Sequence, residues 1–149
     1  MQVIVQSEPF DAGEQLNKFT QEAGVSGAVI SFSGIVRDIP GGLGYLNIEH
    51  YPGMAEKAII KVCDKARERW KLDDILVIHR FGRLKKGEPI MMVLTASKVR
   101  TDSFNAAEFL MDFLKSEAPF WKKEIGLKKS AWVKQREKDK LAIERWRDP

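Results

Sequence analysis

Apolar and polar residues alternate over several short stretches of this chain, which is the pattern of strands that have one face in a hydrophobic core. In the longest stretch, Val25–Arg37, the alternation places Ser31, Ser33, Ile35 and Arg37 on one face. Arg37 is therefore predicted at a strand end, beside a glycine-rich loop. The other predicted strands are Val3–Val5, Tyr45–Tyr51, Asp74–Phe81 and Pro89–Val99.

Three further stretches repeat their apolar residues every three or four positions, as amphipathic helices do. Asp11 and Glu14 resemble a capping box, so the first helix is predicted to follow Asp11 and to end near Ala23. Pro52 is predicted to open the second helix, which runs to Trp70.

The third helix is predicted to be capped by Thr101 or Asp102 and to be stopped by Pro119. A basic turn is predicted at Gly82–Gly87, between the last two predicted strands. Shorter segments follow Pro119, including the β segment Ala131–Val133, and then a charged tail, Lys134–Pro149. The order βαββαββα with a small β tail indicates one α+β domain over the whole chain, with flanking helices and a mixed or mostly antiparallel sheet.

Two of the predicted strands are strongly apolar along their length, Val29–Val36 and Ile90–Ala96. Strands of this kind need cover on both faces. A closed two-fold dimer supplies such cover without leaving sheet edges open to aggregation. We therefore expect a homodimer.

Composition narrows the class of protein. A hydrophobic content of 44% in 149 residues indicates a folded domain with a substantial core. The chain has no apolar run of membrane-spanning length and no signal-peptide pattern at its start, so a cytoplasmic location and no membrane partner are expected. One cysteine and two histidines exclude an internal disulfide and leave little for a metal site, so no metal or other cofactor is expected.

The chain carries a net charge of +4, and the excess lies at its C-terminal end. Residues 115–149 hold 11 Lys and Arg against 6 Asp and Glu, whereas residues 1–114 hold 14 against 15. A basic end suits an anionic partner, such as a phosphate, a nucleic acid or an acidic protein surface.

The richest candidate site is Phe113–Glu124, where a helix end, a proline stop and two adjacent aromatic residues occur together. Lys115 precedes the stop, and Lys122 and Lys123 follow it. Aromatic side chains next to such lysines exclude part of the surrounding water. Lysines in this environment bind anions or transfer protons. On spacing alone, a solvated basic turn whose aromatic residues fill the core is an equal alternative.

Other residues carry weaker signals. Arg37 and Arg100 both sit at ends of predicted strands, where loops display functional side chains on a rigid frame. Their positive charge and their places next to loops permit these arginines to bind one anionic ligand together with the lysines. Cys63 and His79 fit packing positions better than catalytic ones. For His50, a structural role at a strand-to-helix turn is at least as well supported as a chemical one.

Four blocks of the chain are more specific: Phe32–Arg37, Ile48–Met54, Val77–Gly82, and Met111–Lys115 with Ala118–Glu124. In this order they resemble the family of the molybdopterin synthase large (catalytic) subunit. The similarity covers nearly the whole chain. The runs Glu-His-Tyr-Pro-Gly-Met and Ala-Pro-Phe-Trp-Lys-Lys-Glu within these blocks make a chance match implausible.

The resemblance implies an α+β hammerhead fold and a sulfurtransferase activity. The family converts cyclic pyranopterin monophosphate into molybdopterin, whose dithiolene sulfurs come from a small ubiquitin-like partner ending in a Gly-Gly thiocarboxylate. It implies that this tail enters a pocket of the large subunit, and that two large subunits form a central dimer within a heterotetramer.

Matched motif by motif, the resemblance implies a pocket formed by Ile35, Val36, Arg37, Val99, Arg100, Lys115, Lys122, Lys123, Glu124 and Arg136. Val99 departs from the family, which often has histidine there, and a valine side chain binds neither a proton nor an anion.

Two lysines are expected to do the chemistry, and two arginines are expected to bind the substrate. Lys115 is expected to be the acid/base group if Phe113 and Phe120 bury it. Lys122 is expected to stabilise developing negative charge or to hold the tail carboxylate. Arg37 and Arg100 suit the substrate phosphate, because guanidinium groups bind phosphate with paired hydrogen bonds.

Two rival functions remain at this stage. A nucleic-acid-binding module fits the pI of about 9.2, although the four tryptophans are scattered rather than arrayed for base stacking. A catalytically dead scaffold that only docks a ubiquitin-like protein is the second, and the presence of both lysines argues against it.

Overall fold

The computed structural model of the chain describes residues 1–147; the last two residues of the predicted charged tail lie outside them. The strands are β1 Gln2–Gln6, β2 Ala28–Ile35, β3 Leu43–His50, β4 Leu72–Arg80, β5 Gly82–Leu84, β6 Pro89–Ser97, β7 Phe120–Gly126 and β8 Ser130–Trp132. The helices are α1 Ala12–Glu22, α2 Met54–Arg69, α3 Arg100–Ser116 and α4 Glu137–Ala142, followed by a 3₁₀ helix Ile143–Trp146.

The strands form two four-stranded sheets. The first has the order β1-β4-β6-β2, and the second has the order β5-β3-β7-β8. Only β1 and β4 pair in parallel among the described strands, and every other pair is antiparallel. The predicted α+β class with a mixed sheet is confirmed.

Helices of the same chain cover both faces of the first sheet. α2 and α3 pack on the face that carries Val77 and Val93, and α1 packs through Phe19 on the face that carries Ile78 and Leu94. Burial of such a side chain contributes roughly 1.5–3 kcal/mol. These helices bury β6, so the expectation that it needs cover from a second copy is wrong. The edge strand β2 stays partly open, with Phe32 42% and Ile35 50% exposed, and for this strand the expectation stays a prediction.

The second sheet is joined to the first by a stack of rings. His79 of β4 lies on Phe120 of β7 with ring centroids 3.8 Å apart and planes 11° apart. The ring centroid of His50, at the end of β3, lies 4.2 Å from that of Phe81, the residue between β4 and β5. This stack fixes where β7 begins. Part of the predicted basic turn is strand β5, which pairs with β3.

β2 is shorter than predicted. Its register with β6 shifts between Gly34 and Ile35, where the partner residue is Pro89. Proline has no N–H to continue a strand ladder. The strand therefore ends at Ile35, and Arg37 lies in the loop that follows.

The first two helices show one confirmed start and one displaced start. The side chain of Asp11 accepts a hydrogen bond from the backbone N–H of Glu14 at 3.0 Å, as the predicted cap requires. α2 begins after Gly53 rather than at Pro52. Gly53 adopts a φ of 82°, and its N–H donates to the carboxylate of Glu56. A left-handed residue cannot be part of the helix itself, so it delays the start.

The third helix starts earlier than predicted. Neither Thr101 nor Asp102 caps it, because α3 begins directly after Val99, whose side chain makes no cap. Buried hydroxyl groups hold the turn instead: the Ser97 hydroxyl donates to the Val99 carbonyl and shares a hydrogen bond with that of Ser103. Buried hydrogen bonds in the turn before α3 thus stabilise the start of this helix in place of a side-chain cap.

The C-terminal segment packs back on α3. The side chains of Arg145 and Trp146 both donate to the Asp112 carboxylate, at 2.6 Å each. The side-chain amide of Gln135 donates to the last carbonyls of α3. The C-terminal segment therefore holds the end of this helix in place. Within residues 1–147, no helix has both the length and the apolar character needed to cross a membrane.

Candidate active site

A cavity of about 80 Å³ opens at the C-terminal end of α3, between β2 of the first sheet and β7 of the second. It is lined by Phe32, Gly34, Ile35, His79, Ile90, Met91, Met111, Leu114, Lys115 and Lys122. Most of the wall is apolar, and only His79 and the two lysines bring polar head groups to it. The structure thus brings Lys115 and Lys122 together as predicted.

Lys122 is the partly buried lysine of the pair. It lies two residues after Phe120 on β7, so both side chains point to the same face of that strand. Burial, and then the nearby charge of Lys115, lower the pKa of Lys122 to about 8, while Asp139 acts in the opposite direction. A measurable fraction of this side chain is therefore a free amine at neutral pH.

Lys115 lies at the cavity mouth. The buried stripe of α3 runs through Leu110 and Leu114, so the next residue turns towards solvent and its side chain is exposed. The expectation that Phe113 and Phe120 bury Lys115 is wrong in the single chain. The helix end itself is well fixed, since Gln135 donates to the Lys115 carbonyl at 3.1 Å.

His79 forms part of the cavity wall. It is 2% exposed, and its Nδ1 lies 2.9 Å from the Arg80 carbonyl oxygen. Burial, and then the charge of Lys122, lower the pKa of His79 to about 3. The prediction of a packed, hydrogen-bonded histidine is confirmed. Its place in the cavity was missed, although its alternation with Val77 puts it on the face of β4 that α3 covers.

The predicted segment 35–37 divides among three environments. Ile35 is half exposed and lines the cavity. Val36 is 3% exposed and packs in a separate core with Leu46 and Ile48, so its side chain does not face the cavity. Arg37 is exposed and follows directly, which places its backbone two residues from the cavity wall.

Val99 and Arg100 lie at the other end of the molecule. β2 runs antiparallel to β6, so Ala28 pairs with Ser97 while Ile35 pairs with Pro89. The two ends of this pairing are about 23 Å apart at the usual rise per residue. α3 gives a second measure, because its length separates the backbones of Arg100 and Lys115 by about 22 Å. Within one chain, Arg37 and Arg100 cannot bind the same phosphate, so their predicted convergence is wrong for a single copy.

The last three predicted residues surround the cavity without lining it. Lys123 points to the opposite face of β7 from Lys122, with its ammonium 5.3 Å from the ring centre of Trp132. Glu124 shares the face of Lys122 but lies further along the strand. Arg136 is exposed next to Gln135, near the end of α3. Strand alternation explains the position of Lys123.

A partly buried lysine lies beside an exposed one in an apolar cavity where two sheets join, and this arrangement is suited to binding anions and moving protons. Comparison with known proteins gives the family. The model of the family described as "MoaE protein" matches residues 5–117. The chain is 53% identical to the molybdopterin synthase catalytic subunit of Cereibacter sphaeroides, over 98% of this chain and 100% of that protein.

Solved structures agree with the sequence comparison. The molybdopterin biosynthesis MoaE protein from Burkholderia ambifaria superposes with a TM-score of 0.83 at 39% identity, over 97% of each chain. Molybdopterin synthase from Staphylococcus aureus superposes with a TM-score of 0.79 at 32% identity, over 88% of this chain and 96% of that one. The chain belongs to the MoaE family, the family of molybdopterin synthase catalytic subunits.

Proposed function

We propose that this chain is the catalytic subunit of a molybdopterin synthase. It transfers sulfur from the C-terminal thiocarboxylate of a small ubiquitin-like subunit to cyclic pyranopterin monophosphate, and so forms the dithiolene of molybdopterin. The observation that supports this most is the cavity at the end of α3, which combines apolar walls with Lys115 and Lys122 in a chain of the MoaE family.

The reaction needs both a positive site and proton transfer. The thiocarboxylate sulfur attacks an electrophilic carbon of the substrate, a C–S bond forms, and an oxygen function leaves with a proton. Water then cleaves the acyl–sulfur bond and releases the partner's tail as a carboxylate. Both reactants are anions, so the two lysines favour their approach.

Lys122 is assigned the proton transfers. Its pKa of about 8 allows it to donate and accept protons near neutral pH. Lys115 is assigned to the anionic tail and to developing negative charge, because it stands exposed at the cavity mouth. This assignment reverses the two roles expected from the sequence, since burial falls on Lys122 and not on Lys115.

The partner's Gly-Gly tail is assigned to the narrow, mainly apolar cavity. Glycine has no side chain to clash with walls such as Phe32 and Met111. The globular part of the partner then lies outside, where Ile35 is half exposed beside the cavity. We place this assembly in the cytoplasm, where a thiocarboxylate and the thiol of Cys63 stay reduced.

The substrate phosphate is assigned to Arg37 and, from a second copy of the chain, to Arg100. Both are exposed and free of ion pairs among residues 1–147. Since they lie at opposite ends of the β2–β6 pair, they meet at one phosphate only if two copies face each other. The homodimer expected from the sequence thus gains a chemical reason beside the cover that it would give to the exposed side chains of β2.

Reconstitution tests the proposal. The chain is mixed with a thiocarboxylated small subunit and cyclic pyranopterin monophosphate, and the dithiolene product is measured. We expect one dithiolene product for every two thiocarboxylates consumed, and none with a partner that lacks its last two residues. Tight binding of the partner without product would support a docking scaffold, and steeply salt-dependent binding of random oligonucleotides would support a nucleic-acid-binding module.

A further inference from the structure

His79 has a fixed tautomer in this structure. Its Nδ1 is 2.9 Å from the carbonyl oxygen of Arg80, and a carbonyl oxygen can only accept a hydrogen bond. The proton of the neutral ring therefore sits on Nδ1, which leaves a lone pair on Nε2. The stack on Phe120, 3.8 Å away, holds the ring in this orientation.

The Nε2 atom faces the cavity. Among residues 1–147, no fully enclosed side-chain nitrogen or oxygen lacks a hydrogen bond. Nε2 has no hydrogen-bond partner in this part of the chain, since the one hydrogen bond of the ring is made by Nδ1. It is therefore not enclosed, and the open space next to His79 is the cavity that it lines.

The ring also keeps its lone pair at neutral pH. Burial and the charges of Lys122 and Lys115 oppose a second proton on the imidazole, so the pKa of His79 is lowered to about 3. The other two polar head groups of the cavity belong to Lys115 and Lys122, and an ammonium group donates hydrogen bonds without accepting them. Lys122 accepts a hydrogen bond only in the fraction that is a free amine. Nε2 is thus the acceptor that the cavity wall offers to a ligand.

We propose that His79 is a binding residue of the active site, whose Nε2 accepts a hydrogen bond from an N–H or O–H group of the substrate. This inference rests on the proposed function, because that function brings the edge of a nitrogen-rich heterocycle to the end of the partner's tail, in the same cavity. The lysines attract the anionic groups of the reactants, and His79 orients the neutral ring by a directed hydrogen bond. Its contribution is to affinity and orientation rather than to proton transfer.

Two substitutions separate this role from packing. In His79→Asn, the side-chain amide nitrogen can reach the position of Nδ1 and keep the hydrogen bond to Arg80, but no acceptor reaches the position of Nε2. In His79→Gln, the amide reaches the position of Nε2 and supplies an acceptor there, but the donor to Arg80 is lost. Both variants lose the ring that stacks on Phe120, so each controls for that loss in the other.

We expect His79→Asn to raise the KM for cyclic pyranopterin monophosphate about tenfold, the effect of losing one hydrogen bond worth roughly 1.4 kcal/mol. His79→Gln should keep the KM within about threefold and lower the unfolding temperature further than His79→Asn does. Equal KM changes in the two variants, or none in either, would show that His79 only packs.

A spectroscopic arm separates this inference from the proposed function. Long-range ¹H–¹⁵N spectra of the wild-type chain should show Nδ1 protonated and Nε2 bare from pH 6 to pH 8, and the Nε2 resonance should move when substrate is added. A protonated Nε2, or turnover with no movement of that resonance, overturns the role of His79. A resonance that moves without turnover leaves that role standing and contradicts sulfur transfer.

Discussion

The two ends of α3 differ in what surrounds their basic side chains. At the C-terminal end, Lys115 and Lys122 share a cavity with apolar walls, and the charge of one lowers the pKa of the other. At the N-terminal end, Arg100 and Val99 are exposed, and the residues of the turn bond to one another. One end combines two lysines in an apolar cavity, and the other exposes an arginine to solvent.

This difference shows why a list of basic residues does not define a site. A lysine gains a perturbed pKa only where its neighbours exclude water and add like charge. An exposed arginine keeps its full charge and can serve a site built by another molecule. The comparison between the cavity end and the exposed end therefore separates proton transfer from phosphate binding, and the predictions below test that separation.

The largest expected effect is on the cavity end. Lys122→Met should lower the rate of dithiolene formation at least 100-fold, since general acid–base groups contribute about 10²–10⁴. Steady-state assays with the thiocarboxylated partner measure it. Lys123→Met is the matched control, because the neighbouring side chain points to the other face of β7 beside Trp132; its rate should stay within about fivefold of wild type. Similar losses in both variants would remove the special role of Lys122.

The second expected effect is on the pH profile. If Lys122 acts as a base, the rate should rise about tenfold per pH unit below pH 8 and level off above it, because only the free amine accepts a proton. Lys115→Met removes the charge that lowers the pKa of Lys122, so the bend should move to higher pH. A bend that stays in place in this variant would contradict the coupling of the two lysines.

The third expected effect is on stability. The pKa of Lys122 is lowered from 10.5 to about 8 in the folded chain. The unfolded chain therefore holds more protons between these values, and the free energy of unfolding should rise with pH across that window. Lys122→Met should remove this rise and stabilise the chain at pH 7 by roughly 1–3 kcal/mol, because one pKa unit is worth about 1.4 kcal/mol.

Urea unfolding at pH 7 and pH 10 measures both quantities. A Lys122→Met variant that is less stable than wild type at pH 7 would contradict this account. It would mean that the ammonium group is well paired and that burying its charge does not destabilise the folded chain.

The smallest expected effect is at the exposed end. Val99 is 55% exposed, and its side chain takes no part in capping α3. Val99→His should therefore fold with unchanged stability and change the rate less than threefold. A large gain in rate would show that the position takes part in chemistry that valine cannot support.

Local patterns predicted much of this fold. The cap at Asp11 depends on a residue three positions away, and the stripe of α2 that buries Cys63 depends on helical spacing alone. β5 was missed because three residues carry too little periodicity, and it exists because β3 pairs with it. The start of α3 was misplaced because the hydroxyl network of Ser97 and Ser103 is tertiary.

The arrangement of the candidate site was predicted in part, for a similar reason. Motifs identified Lys115 and Lys122, but which of them is buried depends on the phase of α3 against the second sheet. The separation of Arg37 from Arg100 depends on the register of β2 with β6, which the sequence does not display. Pairing between distant segments therefore decided both corrections.

Mixing of two variants tests the central claim most directly, that one working site combines the cavity of one copy with Arg100 of a second. Lys122→Met and Arg100→Ala are each expected to be nearly inactive as pure dimers. After the two are unfolded and refolded together in equal amounts, half of the dimers should contain both variants, and each of these should have one intact site. We therefore expect about a quarter of the wild-type rate of dithiolene formation to return. If the mixed dimers form but no activity returns, both residues must act within one chain, and the division of the site between two copies is wrong.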